Sequence, residues 1–231
     1  MTENQPLLQI AFGVRYRPHF ALEDNLGSVV DHILDHDRFG VHHFPKIGHA
    51  HGSRQLIGLD EAITITREDA VFDSKKHETD FSQIHQLGAE FTEGVWESVW
   101  KYGRQPAAIR FGCLITFELP EDWLPVEAFL GIPDEHSSEF ALRYSHRLPM
   151  ETAIANLEIN DYHHVIYQLG SKQGQRIGTI DYQHFFDPPI ESKRAFDSHP
   201  FSRFVGNATS HFKGAGWAFF RKQIERLSKA A

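Results

Sequence analysis

The alternation of hydrophobic and polar positions predicts a strand near the start of the chain. Residues 7–17 carry an apolar side chain at every second position, and Pro18 follows directly. Apolar residues then recur at helical spacing, with Asp24 or Asn25 as the expected helix cap. The first half is therefore predicted to hold a strand at 7–17, a helix at 22–34, two short strands at 62–66 and 70–74, and a long helix from Thr79 or Asp80 to Tyr102.

The second half shows a similar order of patterns. A strand is predicted at 108–119 and a short helix at 123–130. In a final helical region at 196–227, Gly214 and Gly216 are expected to bend or split the helix. Strand-like runs lie between these helices, at 140–148, 152–159, 163–169 and 176–186.

The two halves resemble each other. Phe12-Gly13 and Phe111-Gly112 lie in matching strands, 99 positions apart, and an apolar helix follows each strand. Duplication of one unit and a chance match are both open explanations. Because each strand has an apolar face that needs cover, we predict an α+β fold with a predominantly antiparallel, curved sheet and long helices on one face. Residues 1–104 and 105–231 would be two related strand-helix-strands-helix units, packed as one body.

Composition and charge narrow the class of protein. The 231 residues are 41% hydrophobic and 23% charged, which is typical of a packed, soluble domain. The formal net charge of −8 disfavours general nucleic-acid binding, which depends on lysine and arginine. The apolar runs are too short to span a membrane and we recognise no export signal, so we expect a cytoplasmic protein. The single cysteine, Cys113, lies in an apolar run and is expected to be a buried hydrophobic residue.

A histidine-rich segment at 36–51 is the first candidate for chemistry. Neutral imidazole is a common metal ligand, so His43, His49 and His51 form a candidate zinc or iron site. Their spacing matches no metal motif that we recognise, and an exposed loop is the alternative that we favour. We therefore expect no tightly bound stoichiometric metal and no cofactor.

Polar residues on the strands give two further candidates. Asp161 and His163 share a strand face and can act as a general base with its orienting partner, although turn chemistry is the simpler explanation. Pairs of arginines on one strand face can bind a phosphate, a carboxylate or a nucleic-acid backbone, or can form ion pairs with neighbouring acids. These pairs are Arg15 with Arg17 and Arg143 with Arg147.

The long helix that ends at Tyr102 suggests an interaction surface. Trp96 and Trp100 lie at the edge of its apolar stripe, where large aromatic residues favour a protein interface. The alternative is a wider core that covers both side chains. We find no phosphate-binding loop, dinucleotide-binding, nucleophile-elbow or kinase motif, so the usual sequence support for those chemistries is missing.

Five short motifs extend over most of the chain: Pro6 with the strand through Phe12 and Arg15, the helix 81–100, the strand 110–120, the run Arg143-Tyr-Ser-His-Arg147-Leu-Pro149, and Ile180-Asp181. Together they resemble a sporadically distributed family of uncharacterised bacterial proteins of about this length. The resemblance implies a bacterial, cytoplasmic α+β protein and assigns no catalytic residue.

Three functional hypotheses follow from the sequence. The first is a non-catalytic binding or protein-interaction module of a bacterial cytoplasmic system, such as a defence system, that associates with a protein partner or with itself. The second is a histidine-dependent metalloenzyme centred on His43, His49 and His51. The third is a small-ligand sensor with a pocket between the two halves, where concave sites often form.

Overall fold

The computed structural model describes residues 7–36, 38–43, 53–75, 80–119, 139–149, 161–172, 175–190 and 200–230. Within them the chain forms one antiparallel sheet with three helices packed against it, which confirms the predicted α+β class. The strands are β1 (Leu7–Tyr16), β2 (Val41–His43), β3 (Ser53–Gly58), β4 (Glu61–Thr66), β5 (Asp69–Ser74), β6 (Ala108–Glu118), β7 (Glu139–Pro149), β8 (Tyr162–Lys172) and β9 (Gln175–Ile190). The helices are α1 (Phe20–Asp35), α2 (84–102) and α3 (200–230).

The two strands that the sequence comparison matched lie side by side at the centre of the sheet. The strand order is β2-β3-β4-β5-β1-β6-β9-β8-β7. Gly13 of β1 pairs directly with Gly112 of β6, so the two glycines that the comparison matched are cross-strand partners. Outward from this pair, each half adds a meander of antiparallel strands. The predicted strand at 152–159 and helix at 123–130 lie outside the described residues.

The core lies between one face of the sheet and the helices. In β1 the side chains of Ile10, Phe12, Val14 and Tyr16 are almost completely buried, as the alternation predicts. The Phe12 ring centroid lies 6.0 Å from that of Phe91 in α2 and 6.2 Å from that of Phe201 in α3, so both helices meet over the central strands. Burial of each such side chain stabilises the fold by about 1.5–3 kcal/mol.

Two helix starts differ from the prediction. Helix α1 begins at Phe20 after the extended residue His19, and the predicted cap Asn25 instead lies inside the helix, where its Nδ2 donates to the Ala21 carbonyl at 2.7 Å. Helix α2 begins at Ile84 because Asp80 Oδ1 accepts a hydrogen bond from the Ser82 amide at 2.7 Å. This local turn replaces the first helical turn.

Helices α2 and α3 each contain a π-helical segment at a similar place. In α2 it covers Phe91–Trp96, and in α3 it covers Phe212–Gly216. The second segment contains Gly214 and Gly216, where the sequence predicted a bend or a break. A Cβ atom at Gly216 would lie 2.9 Å from Ile180 Cδ1, so the close approach of α3 to β9 favours glycine there.

Candidate functional site

The sheet face opposite the helices carries a depression at the junction of the two halves. Its floor is made by the central strands β1 and β6, and its walls come from β5 and β9. The volume is about 190 Å³, below the roughly 300–1,000 Å³ of typical ligand pockets, so it suits a small ligand or one end of a larger one. The polar side chains around it are Arg15, Asp69, Arg110, Asp181 and Gln183.

Glycine keeps the floor of this depression open. Gly13 and Gly112 face each other at its centre. A Cβ atom at Gly13 would touch Val71 Cγ2 at 3.6 Å, and one at Gly112 would approach only the Gly13 carbonyl oxygen, at 4.0 Å. Because both contacts are ordinary, packing does not require glycine at either position. Because the two glycines have no side chain, they leave open space above the central strands.

Arg110 is the central basic group of the depression. Its side chain is half-buried, and burial lowers the pKa of its guanidinium from the usual range. Its Cζ lies 5.7 Å from the centroid of the Phe185 ring, a cation–π contact. Among the described residues, none accepts a hydrogen bond from the guanidinium or forms a salt bridge with it. Its donors are therefore available to a bound acid.

Arg15 lies directly opposite Arg110 on the neighbouring strand, and unlike Arg110 it forms an ion pair. Its Nη2 atom lies 3.4 Å from Glu68 Oε2. Like charges placed opposite each other on adjacent strands destabilise a sheet. An anion bound between the two guanidinium groups would relieve that repulsion.

Asp181 is a half-buried acid of the depression. Burial raises the pKa of its carboxyl, whereas a hydrogen bond from Gln183 Nε2 at 2.5 Å and the charges of Arg110, His164 and Arg143 lower it. The other acid, Asp69, accepts a hydrogen bond from Thr66 Oγ1 at 2.7 Å. The depression therefore combines two arginines with two aspartates.

Aromatic side chains beside the depression position Arg110. The rings of Phe185 and Tyr162 stack in parallel, with centroids 4.8 Å apart and planes 5° apart. Arg147 covers the other face of Tyr162, with its Cζ 3.7 Å from the ring centroid. The side chains thus form one row, Arg147–Tyr162–Phe185–Arg110, that fixes the arginine at its inner end.

The structure separates the two arginine pairs that the sequence suggested. Arg15 lies on the open face of the central strand β1 and Arg17 follows just after its end, while Arg143 and Arg147 lie on β7 at the edge of the sheet. Four strand spacings of about 4.8 Å put them roughly 19 Å apart. They do not form one binding site.

The residues that the sequence analysis missed are Arg110, Asp69 and Gln183. The alternation along β6 already placed Arg110 on the polar face, as it did Arg15 on β1. The pattern along each strand does not show that β1 pairs with β6, and it is this pairing that places the two arginines opposite each other.

The tryptophan surface is a wrong interpretation. Trp96 is 1% exposed and Trp100 is 7% exposed, so both belong to the core. The Trp96 ring packs 6.1 Å from that of Tyr16 and 5.8 Å from that of Trp100. The π-helical segment Phe91–Trp96 explains the error, because one extra residue per turn rotates the following positions by about 100° relative to an α-helix.

The proposed histidine metal site lies almost entirely outside the described part of the chain. His43 ends strand β2, whereas His49 and His51 are not among the described residues. Within the described residues, no group of three or more histidine, cysteine or acidic side chains is arranged to hold a metal ion. Cys113 is completely buried, as expected, and burial raises the pKa of its thiol.

The later histidines form a polar cluster on the opposite, helix-covered face. His184 Nε2 donates to Asp161 Oδ2 at 3.2 Å, so Asp161 orients His184 rather than the predicted His163. His163 Nδ1 instead shares a hydrogen bond of 2.5 Å with the Tyr182 hydroxyl. In the same cluster, the Tyr167 hydroxyl bonds His211 Nε2 of α3 at 2.7 Å. Burial raises the pKa of both tyrosines to about 12.

Comparison with known proteins leaves the function to be argued from this geometry. No protein-family model matches the chain, and a search of curated proteins finds no match. In the described part of the chain, no helix is both long enough and apolar enough to cross a membrane.

Proposed function

We propose that the chain is a binding protein that holds a small acidic molecule in the depression between its two halves. The observation that carries this proposal is Arg110, a half-buried arginine that faces the depression without a protein acceptor among the described residues. Arginine presents several donors in a planar fork that matches the oxygens of a carboxylate or a phosphate.

Three further features support the proposal. The glycine floor leaves room for the ligand next to the backbone of β1 and β6. Arg15 supplies a second positive charge opposite the first. The aromatic row that ends at Phe185 fixes Arg110 before the ligand arrives, which lowers the entropic cost of binding.

A protein partner or self-association, a bacterial cytoplasmic setting and a role in defence stay predictions. With both tryptophans in the core, we place the binding function in the depression instead.

The experiment compares Arg110→Gln with Arg54→Gln. Arg54 is an exposed arginine of β3 that lies outside the depression and donates from Nη1 to the Ser53 carbonyl at 2.9 Å, so it serves as the matched control. Thermal shift and calorimetry would be run with phosphate, acetate, pentanoate, glutarate and nucleoside monophosphates at constant ionic strength. We expect the wild type and Arg54→Gln to bind at least one of these acids, and Arg110→Gln to bind it about 10-fold or more weakly, since a charged hydrogen bond contributes about 1.5–3 kcal/mol.

Equal binding by Arg110→Gln and Arg54→Gln would contradict the proposal. It would also be wrong if none of the acids bound to the wild type and native mass spectrometry of the freshly purified protein showed no small molecule attached.

A further inference from the structure

The charges around the depression carry information about its ligand. Two arginines and two aspartates line it, so the charged side chains sum to zero. A ligand that carries only negative charge would be attracted by the arginines and repelled by the aspartates. A ligand with both signs would complement the whole lining.

The partners of these four side chains show which charges are left for a ligand. Arg15 forms an ion pair with Glu68 at 3.4 Å, and Asp69 accepts a hydrogen bond from Thr66 at 2.7 Å. Arg110 and Asp181 interact electrostatically but do not form a salt bridge with each other. Opposite charges in one depression that do not pair directly leave a gap that a ligand can bridge.

The register of the strands gives the spacing of the two backbone positions that carry these charges. Arg110 of β6 pairs with Phe185 of β9, and Asp181 lies four residues further along β9, which is about 13 Å of strand. Arg110 is held over the Phe185 ring, so its guanidinium stays near that end. A ligand that reaches both groups needs several bonds between its two charges, which is more than an α-amino acid has between its ammonium and carboxylate groups.

We infer that the ligand is a small zwitterion whose anionic group binds Arg110 and whose cationic group, several bonds away, binds Asp181, as in an ω-amino acid or a short peptide. The inference rests on the proposed binding function of the same depression. Gln183, which is 8% exposed, lies between Asp181 and Phe185 on β9 and donates a 2.5 Å hydrogen bond to the Asp181 carboxylate.

The first test varies the distance between the charges and uses the wild-type protein alone. Calorimetry would compare glycine, β-alanine, 4-aminobutanoate, 5-aminopentanoate and 6-aminohexanoate, and then pentanoate and butylamine, which each lack one charge of 5-aminopentanoate. We expect affinity to rise from glycine to the longer members. We also expect 5-aminopentanoate to bind at least 10-fold more tightly than either single-charge analogue.

The second test assigns the cationic end to Asp181. In Asp181→Asn, 5-aminopentanoate should bind no more tightly than pentanoate, while pentanoate should bind at least as tightly as to the wild type, because one repulsive negative charge is gone. Asp73→Asn is the matched control, because Asp73 lies on the open face of β5, outside the depression, and accepts hydrogen bonds from Gln9 at 2.9 and 3.0 Å. This control should keep the full preference for the zwitterion.

The results separate this inference from the function on which it rests. If pentanoate binds as tightly as 5-aminopentanoate, or if glycine binds best, the zwitterion is wrong and an acid-binding depression remains. If the preference survives Asp181→Asn unchanged, the cationic end lies elsewhere and the inference is again overturned. If no acid or zwitterion binds and Arg110→Gln changes nothing, the binding function itself is wrong.

Discussion

The two halves cover the same sheet face with different chemistry. Gly13 pairs with Val71 of β5, and Gly112 pairs with Gln183 of β9. Val71 and Gln183 therefore occupy corresponding positions in the two halves. Beside these positions the first half presents side chains that are apolar, and the second half presents side chains that are polar. The first set is Ile63, Ala70 and Phe72, and the second is His163, Tyr182 and His184.

This difference shows that the architecture does not require the polar cluster. The first half closes the interface with its helix by apolar packing alone at these positions, with Ile63, Ala70 and Phe72 completely buried. In the second half, the buried Nε2 atom of His163 has no hydrogen-bond partner among the described residues, which is costly for stability. At these positions the polar cluster is therefore a feature of the second half alone. Duplication followed by divergence would produce this pattern, and it stays a prediction.

Exchanging residues between the halves gives the largest expected effect. Phe72→His places an imidazole at a completely buried position, where the ring now lies 5.0 Å from that of Phe39. We expect the free energy of unfolding to fall by about 3 kcal/mol or more, because packing is lost and a polar group is buried without a partner. Urea denaturation measures this loss.

The reverse exchange, His184→Phe, is the matched control. His184 is 13% exposed and stacks 4.3 Å from Phe186, so a phenyl ring fits its surroundings. We expect a loss below about 1.5 kcal/mol. Equal losses in the two variants would show that the halves do not differ in the way described.

Removing one hydroxyl tests the hydrogen bonds of the cluster. Tyr182→Phe deprives His163 Nδ1 of its partner, and the Nε2 atom of the same ring already lacks one among the described residues. We expect a loss of about 1–3 kcal/mol in the free energy of unfolding. In Tyr144→Phe, whose ring packs 5.3 Å from that of Phe219, the change should stay within about 0.5 kcal/mol. Two small, equal changes would mean that the cluster contributes no hydrogen-bond energy.

Acid should weaken the second half more than the first. Burial lowers the pKa of His163 to about 4 and also lowers that of His211, while both side chains titrate near 6.5 when unfolded. Between these values the unfolded chain binds protons that the folded chain does not, so the free energy of unfolding falls as the pH falls. The neighbouring Asp161 opposes part of this effect on His163.

Hydrogen exchange of individual amides measures this asymmetry. As the pH falls from about 6.5 to about 4, the amides of α3 should lose protection before those of α2, after correction for the intrinsic exchange rate. Parallel loss in both helices would contradict the prediction. The double variant His163→Ile with Tyr182→Ala, which copies the first half, should remove part of the difference.

A substitution where the two halves pair, at β1 and β6, should have the smallest effect on stability. Gly112→Ala adds a methyl group that approaches only the Gly13 carbonyl oxygen, at 4.0 Å. We expect the free energy of unfolding to change by less than about 1 kcal/mol. Binding in the depression should nevertheless weaken, because the methyl group fills part of its floor. A stable Gly112→Ala variant with unchanged binding would place the ligand elsewhere.

The sequence predicted the elements with strong periodicity and missed those that depend on pairing. The strict alternation along β1 and β6 gave both central strands. Strands β2 and β3 went unseen because each contributes only one almost fully buried apolar side chain, Val41 and Leu56, within a segment rich in histidine and glycine. Their strand structure depends on pairing with neighbours, β3 with β4 and β2 with β3.

The candidate site was predictable to a similar extent. Alternation placed Arg15 on the open face, but only the register between strands brings Arg110 opposite it. The same holds for His184, whose partner Asp161 directly precedes strand β8, 23 positions away along the chain. The spacing of residues along one strand does not indicate a contact that depends on the register between strands.

The central pairing of β1 with β6 also determines when the sheet can be completed during translation. About 100 residues separate the two strands, which takes about 5–20 s of synthesis at roughly 5–20 residues per second. Until β6 emerges, β1 can pair with β5 on one side, and its other edge is open to any strand of a neighbouring nascent chain. Arg15 and Arg17, charged residues near the end of this strand, are of the kind that protects edges against such pairing.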